Sequence, residues 1–175
     1  SAAKELLKKI GITTEQFFEA IQSFEGASGR LEKIFEANTC SVYKDFAHAP
    51  SKVKATVKAV KENYGSRELV ACLELHTYSS LDMKYLPQYR DTMRLAQVGV
   101  VYYNPEKVSS KGLPPLSTEF LRSAFNTQHL HVFTDSDQLR EFLGSIQYKN
   151  KNLLMMSSGN FGNIDLPGLA RQLKT

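Results

Sequence analysis

Short apolar runs and amphipathic stretches take turns along most of this chain. Val42-Tyr43-Lys44-Asp45 alternates and is rich in β-formers, which predicts a strand. It runs into Phe46-Ala47-His48-Ala49-Pro50, where a helix pattern begins at once. Pro50 suits a first helical turn, and Val53, Val57 and Val60 fall on one face. Leu69-Val70-Ala71-Cys72-Leu73, the run from Val98 to Tyr103, and Leu153-Leu154-Met155-Met156 are continuously apolar. That is the pattern of strands buried on both faces of a parallel sheet. His129 to Phe133 adds a shorter strand. Helices are predicted over 82–95 (with Pro87 as the point where it would split), from Ser117 to Phe125, from Asp135 or Ser136 onward, and around Leu166–Leu173. Residues 105–117, with Pro105, Gly112, Pro114 and Pro115, read as an exposed loop. Upstream, Leu31 to Ala37 reads as a strand that pairs with the next one through the turn signal Asn38-Thr39.

Strands and helices therefore alternate after residue 40. That order predicts an α/β fold, a Rossmann-like three-layer domain with a mostly parallel sheet and right-handed crossovers. Residues 2–24 read as two helices, with Gly11 ending the first. Phe24-Glu25-Gly26-Ala27-Ser28-Gly29-Arg30-Leu31-Glu32 breaks the helical period. This places a boundary there: residues 1–25 form a short helical segment, and residues 26–175 form the main domain.

The bulk numbers narrow the class. At 175 residues, with 42% hydrophobic and 23% charged residues, the chain suits a globular protein with a real core. Its net charge of +4 is scattered along the sequence, which argues against nucleic acid as a partner and is compatible with small anions such as nucleotides. Cys40 and Cys72 form no C-x-x-C pair, so reduced cytoplasmic thiols are expected. No apolar run approaches the ~20 residues that span a bilayer, so no membrane is expected. The chain begins Ser-Ala-Ala without Met and reads as a piece of something longer. His129 and His131, at alternate positions, read as half-exposed strand residues on one face rather than metal ligands.

Candidate chemistry gathers where strands end. Asp45 and His48 sit at the carboxyl end of a strand, facing a helix N-terminus, which is where open α/β sheets bind ligands. An ordinary turn with a capping acid gives the same local pattern. Glu74-Leu75-His76-Thr77-Tyr78-Ser79-Ser80 is a second polar loop in the same kind of place. Ser157 to Asn163 is small and amide-rich; it suits a nest of backbone N–H groups for an anion, and equally a tight turn needing Gly. Arg30 suits a bidentate phosphate clamp, although most single arginines are solvated surface charges.

Four motifs occur in order: Phe24-x-Gly26-x-x-Gly29-Arg30-Leu31-Glu32, Asp45-Phe46-Ala47-His48-x-Pro50, His76-x-Tyr78-Ser79, and Ser158-Gly159-x-x-Gly162. This succession resembles the C-terminal domain of the Mur ligases, the ATP-dependent amide-forming enzymes of peptidoglycan synthesis. Within that family the run Met156 to Gly162 favours the murein peptide type, and the His76 loop looks equally like the alanine-adding type.

The resemblance implies several things. Residues 1–25 correspond to the last helices of a central ATPase domain, which follows a UDP-binding domain. ATP phosphorylates the UDP-N-acetylmuramate carboxylate, and the amine of an amino acid or peptide attacks. The C-terminal domain closes over ATP and presents that amine. Arg30, Asp45 and His48 are the implied catalytic and ATP-facing residues. His76, Tyr78, Ser79, Ser158, Gly159 and Asn160 are implied to line the peptide side. Mg²⁺ is implied to bind mainly to the central domain. No Gly-Lys-Ser/Thr phosphate loop occurs in this sequence, so the segment alone is expected to be inactive. The sequence departs from the family pattern at Gly29-Arg30, Lys44-Asp45 and Ala49, where the family has Arg-Arg, Asp-Asp and a second His. A reading from another class is a free-standing nucleotide-binding module without chemistry.

Overall fold

The computed structural model describes Thr13, residues 31–127 and residues 129–174. Arg30, the helices read over 2–24 and the crossing between them lie outside the described residues. The described elements are β1 (Glu32–Ala37), β2 (Cys40–Asp45), α1 (Pro50–Asn63), β3 (Glu68–Glu74), α2 (Tyr78–Leu81), a 3-10 turn (Leu86–Tyr89), β4 (Val98–Tyr102), α3 (Pro105–Ser110), α4 (Thr118–Phe125), β5 (Leu130–Phe133), α5 (Ser136–Ser145), β6 (Lys151–Met156) and α6 (Leu166–Gln172).

The described strands form one sheet in the order β1-β2-β6-β3-β4-β5. β1 and β2 are an antiparallel hairpin, and the other pairings are parallel. This is the α/β architecture that the alternation of elements predicts. Residue alternation divides the core into two layers. Leu69, Ala71 and Leu73 of β3 face one side, where Val53, Val57 and Val60 of α1 pack with Tyr89 and Phe125. Val70 and Cys72 face the other, with Leu139 and Leu143 of α5, Tyr148 and Leu169 of α6. Each fully buried Leu or Val contributes about 1.5–3 kcal/mol, so β3 is held from both sides.

Three local expectations are corrected. No long helix covers 82–95. Lys84 N–H donates to the Asp82 side chain at 2.9 Å, Pro87 has no N–H to continue a helical ladder, and Asp91 is left-handed at φ 60°. Leu86, Tyr89 and Met93 still reach the core, because the turns point them inward. Residues 105–117 are not all loop. Asn104 accepts from Glu106 N–H at 2.8 Å and Pro105 occupies the first turn of α3, so Asn-Pro here is a helix start. His129 precedes β5 with φ 57°, so it does not continue the strand face that carries His131.

The parallel strands end in register. Asp45 pairs with Met156, Met156 with Leu73, and Glu74 with Tyr102. The loops that follow β2, β3, β4 and β6 therefore leave from one edge.

Two outcomes follow from burial. Cys40 and Cys72 are 0% exposed, and burial pushes both thiols up. Native protein should resist iodoacetamide, and both thiols should label fully in guanidinium; mass spectrometry reads the difference. Burial, then Arg122 and His129, lower the His131 imidazole from its ordinary 6.5. Below that pH the unfolded chain takes up a proton that the folded chain takes up only at lower pH, so stability falls on acidification. Denaturation of His131→Phe between neutral and weakly acidic pH should show a flatter profile than the parent.

Candidate functional site at the carboxyl edge of the sheet

Asp45 is the last residue of β2 and only 8% exposed. Its Oδ2 accepts from Leu31 N–H at 2.5 Å, and its Oδ1 from Ala47 N–H at 2.6 Å and the Thr56 hydroxyl at 3.3 Å. A carboxylate offers about four acceptor positions, so about one stays open. The contact with Leu31 has a further role. Leu31 has φ 41°, a conformation that costs a bulky residue on the order of 1 kcal/mol. The charged acceptor holds it there, directly after Arg30.

Phe46, Ala47, His48, Lys52 and Thr56 line a hollow of about 280 Å³ with Asp45. Phe46 is 55% exposed and stands edge-on to His48, with ring centroids 5.2 Å apart. His48 Nδ1 lies 2.9 Å from the Phe46 carbonyl. A carbonyl only accepts, so Nδ1 donates, which leaves Nε2 as the acceptor of that tautomer. The hollow thus combines an aromatic surface, the cation of Lys52 and a hydrogen-bond acceptor on His48.

A second acid closes β3. Glu74 is 2% exposed. Its Oε2 accepts from the Ser157 hydroxyl and from Phe161 N–H at 2.8 Å. The Ser157–Asn163 loop, with Phe161, Gly162 and Asn163 all at positive φ, thus wraps the protein's own Glu74 carboxyl group through one hydroxyl and one backbone N–H. His76 Nδ1 lies 3.4 Å from Glu74 Oε1 and 3.0 Å from Lys107 Nζ.

The predicted residues fall into two groups. Asp45 and His48 share the first hollow. His76 and Gly159 touch, because a Cβ on Gly159 would stand 2.5 Å from His76 Nδ1. Gly159 and Asn160 also line a second hollow of about 280 Å³, and Asp45 lines that one too. Ser158 Oγ is buried with no hydrogen-bond partner. Tyr78 is 57% exposed at the start of α2, and Ser79 Oγ lies 3.3 Å from the Thr77 hydroxyl that caps this turn. Glu74, Ser157, Lys107, Lys52 and Thr56 were not picked out from the sequence. For Glu74 the signal was present: an acid that directly follows a fully apolar strand has to be paired.

Gly159→Ala should force His76 and Glu74 apart, since both side chains are fixed from behind. A loss of about 1–3 kcal/mol is expected in urea denaturation. Gly65→Ala, with open space around its Cβ position, should cost far less.

No protein-family model matches the sequence. Among sequence relatives, a UDP-N-acetylmuramate–L-alanine ligase of Caldicellulosiruptor bescii is 33% identical over 100 residues, 57% of this chain and 22% of that protein. The enzyme of the same name from Agathobacter rectalis is 28% identical over 166 residues, 91% of this chain and 34% of that one. Among solved structures, a murein peptide ligase from Psychrobacter arcticus aligns with a TM-score of 0.70 at 21% identity, over 99% of this chain and 35% of that one. The chain thus spans about a third or less of the length of these relatives. The motifs quoted from the sequence, the mixed sheet and these relatives agree: the chain is a homologue of the Mur ligases and has the fold of their C-terminal domain.

Proposed function

We propose that this chain is the closing domain of an ATP-dependent peptidoglycan-precursor amide ligase that acts in the cytoplasm. Residues 26–175 are that domain, and residues 1–25 are the last helices of the central ATPase domain before it. The observation that carries the reading is the position of Asp45. It lines both hollows at the carboxyl edge, one beside His48 and Lys52, the other beside Gly159 and Asn160.

The first hollow fits part of a nucleotide. It offers an exposed aromatic ring, a lysine and a largely satisfied carboxylate, and Asp45, Phe46, His48 and Lys52 would hold ATP there with Arg30. ATP, when bound, supplies the phosphoryl group that activates the UDP-N-acetylmuramate carboxylate. The chain's own residues bind, orient and exclude water. Asp45 fixes the backbone of Leu31 at the start of β1. Positioned charge is a large part of catalysis at phosphoryl centres. Mg²⁺ is a different matter: no group of three ligating side chains is present among the described residues. Its ligands are assigned to the preceding domain.

The murein peptide type is the preferred reading of the amine. It is supported by the Met156–Gly162 run and by the structural match over almost all of the chain. The names of the sequence relatives favour the alanine-adding type instead.

Steady-state ligation by the full-length protein separates these readings. With UDP-N-acetylmuramate and ATP, the tripeptide L-alanyl-γ-D-glutamyl-meso-diaminopimelate should be joined in preference to L-alanine. Asp45→Asn and Arg30→Ala should each lower turnover by roughly 100-fold, the scale of one lost electrostatic contact. Circular dichroism should show the fold retained. Near-normal turnover in both variants would remove the assignment of these residues.

A further inference from the structure

We propose that Tyr89 is a positioning residue of the nucleotide hollow: its hydroxyl pins the peptide that follows His48 and so sets how Phe46 and His48 stand in that hollow. The inference rests on the ligase reading and adds a residue that lines neither hollow.

The loop after β2 has to hold an exposed ring in place. Phe46 is 55% exposed and stands edge-on to His48. His48 Nδ1 turns back to the Phe46 carbonyl at 2.9 Å. Both contacts lie within the loop, so they tie Phe46 and His48 to each other. Two anchors flank the pair. Asp45 Oδ1 takes Ala47 N–H at 2.6 Å, and the Ala49 carbonyl starts α1 by accepting from Lys52 and Val53 N–H, each at 2.9 Å. Between these anchors the His48 carbonyl accepts from the Tyr89 hydroxyl at 2.5 Å. That bond comes from a segment 41 residues away, beyond β3.

Tyr89 can act as a fixed point. It is 1% exposed, and its ring stacks on Phe125 with centroids 5.1 Å apart and stands edge-on to Tyr85 at 6.1 Å. The backbone behind it is tied as well. Asp91 N–H donates to the Phe125 carbonyl at 2.9 Å, and the Asp91 side chain accepts from Asn126 Nδ2 at 2.8 Å. Burial, then Tyr85, push the Tyr89 phenol above its ordinary value, so it stays protonated and donates. A phenylalanine would fill the same space. A hydroxyl in an apolar core costs free energy unless it is bonded, and here the bond goes to the loop that carries His48.

Steady-state kinetics and hydrogen exchange of the full-length ligase test this. Tyr89→Phe keeps the ring and removes the bond; circular dichroism should show the fold retained. The KM for ATP should rise roughly three- to tenfold, the scale of one neutral hydrogen bond. The KM for the amine substrate should stay within about twofold. Amide exchange over residues 46–49, read by mass spectrometry, should quicken. Tyr103→Phe is the matched control, because Tyr103 is 6% exposed and its hydroxyl donates to the Leu116 carbonyl at 2.9 Å, on another loop. It should leave the ATP KM and the exchange of 46–49 as in the parent. An unchanged ATP KM in folded Tyr89→Phe would overturn the role and leave the ligase reading standing. An equal rise in both variants, or an equal rise in the ATP and amine KM of Tyr89→Phe, would point to general loosening and overturn it too. A parent protein that consumes no ATP with any amine would remove the ligase reading, and the role of Tyr89 with it.

Discussion

Two buried carboxylates, each the last residue of a parallel strand, hold the working edge of this protein together. A carboxylate taken out of water needs hydrogen-bond donors, and an unpaired one costs several kcal/mol. Asp45 meets that need with Leu31, Ala47 and Thr56, and Glu74 with Ser157 and Phe161. Each acid therefore fixes a piece of chain that is remote in sequence. Asp45 ties the start of β1 to the end of β2 and to α1. Glu74 ties the loop after β6 to the end of β3.

Strand alternation puts the two acids on opposite faces of the sheet. Asp45 reaches Thr56 on α1, whose valines belong to one core layer, while Glu74 reaches Phe161, which belongs to the other. Their two loop systems meet at the edge, between β2 and β6, where Ser157 N–H donates to the Asp45 carbonyl at 3.0 Å. The result is a divided site. One hollow is lined by Phe46, His48 and Lys52, and the other by Lys44, the acids Glu32 and Asp165, and the apolar Ile34, Phe161 and Ile164; Asp45 lines both.

Local strain marks the same edge. Leu31 at φ 41° and Phe161 at φ 52° are bulky residues in a region that favours glycine. Both have their N–H on one of the two acids. Strain of this kind persists only where surrounding contacts over-determine the backbone. The core beneath supplies that support, since β3 and β6 are almost fully buried along their length.

Much of this was legible in the amino-acid sequence. Apolar runs at Leu69–Leu73, Val98–Tyr103 and Leu153–Met156 determine a parallel sheet, because only strands covered on both sides can bury every residue. Val53, Val57 and Val60 determine the packed face of α1, and Asp45 and His48 were found because acids and imidazoles at strand ends are locally visible. What the sequence left open depends on separations of many residues. That Ser157 Oγ and Phe161 N–H of the Ser157–Asn163 loop are already taken by Glu74 needs β6 beside β3. That Lys107 stands against His76 needs β4 on the other side of β3. That Pro87 and Asp91 turn the chain where a helix was expected needs the core to accept Leu86, Tyr89 and Met93 from a non-helical backbone. Periodicity reports burial, whereas which donor meets which acceptor is fixed only when the strands line up.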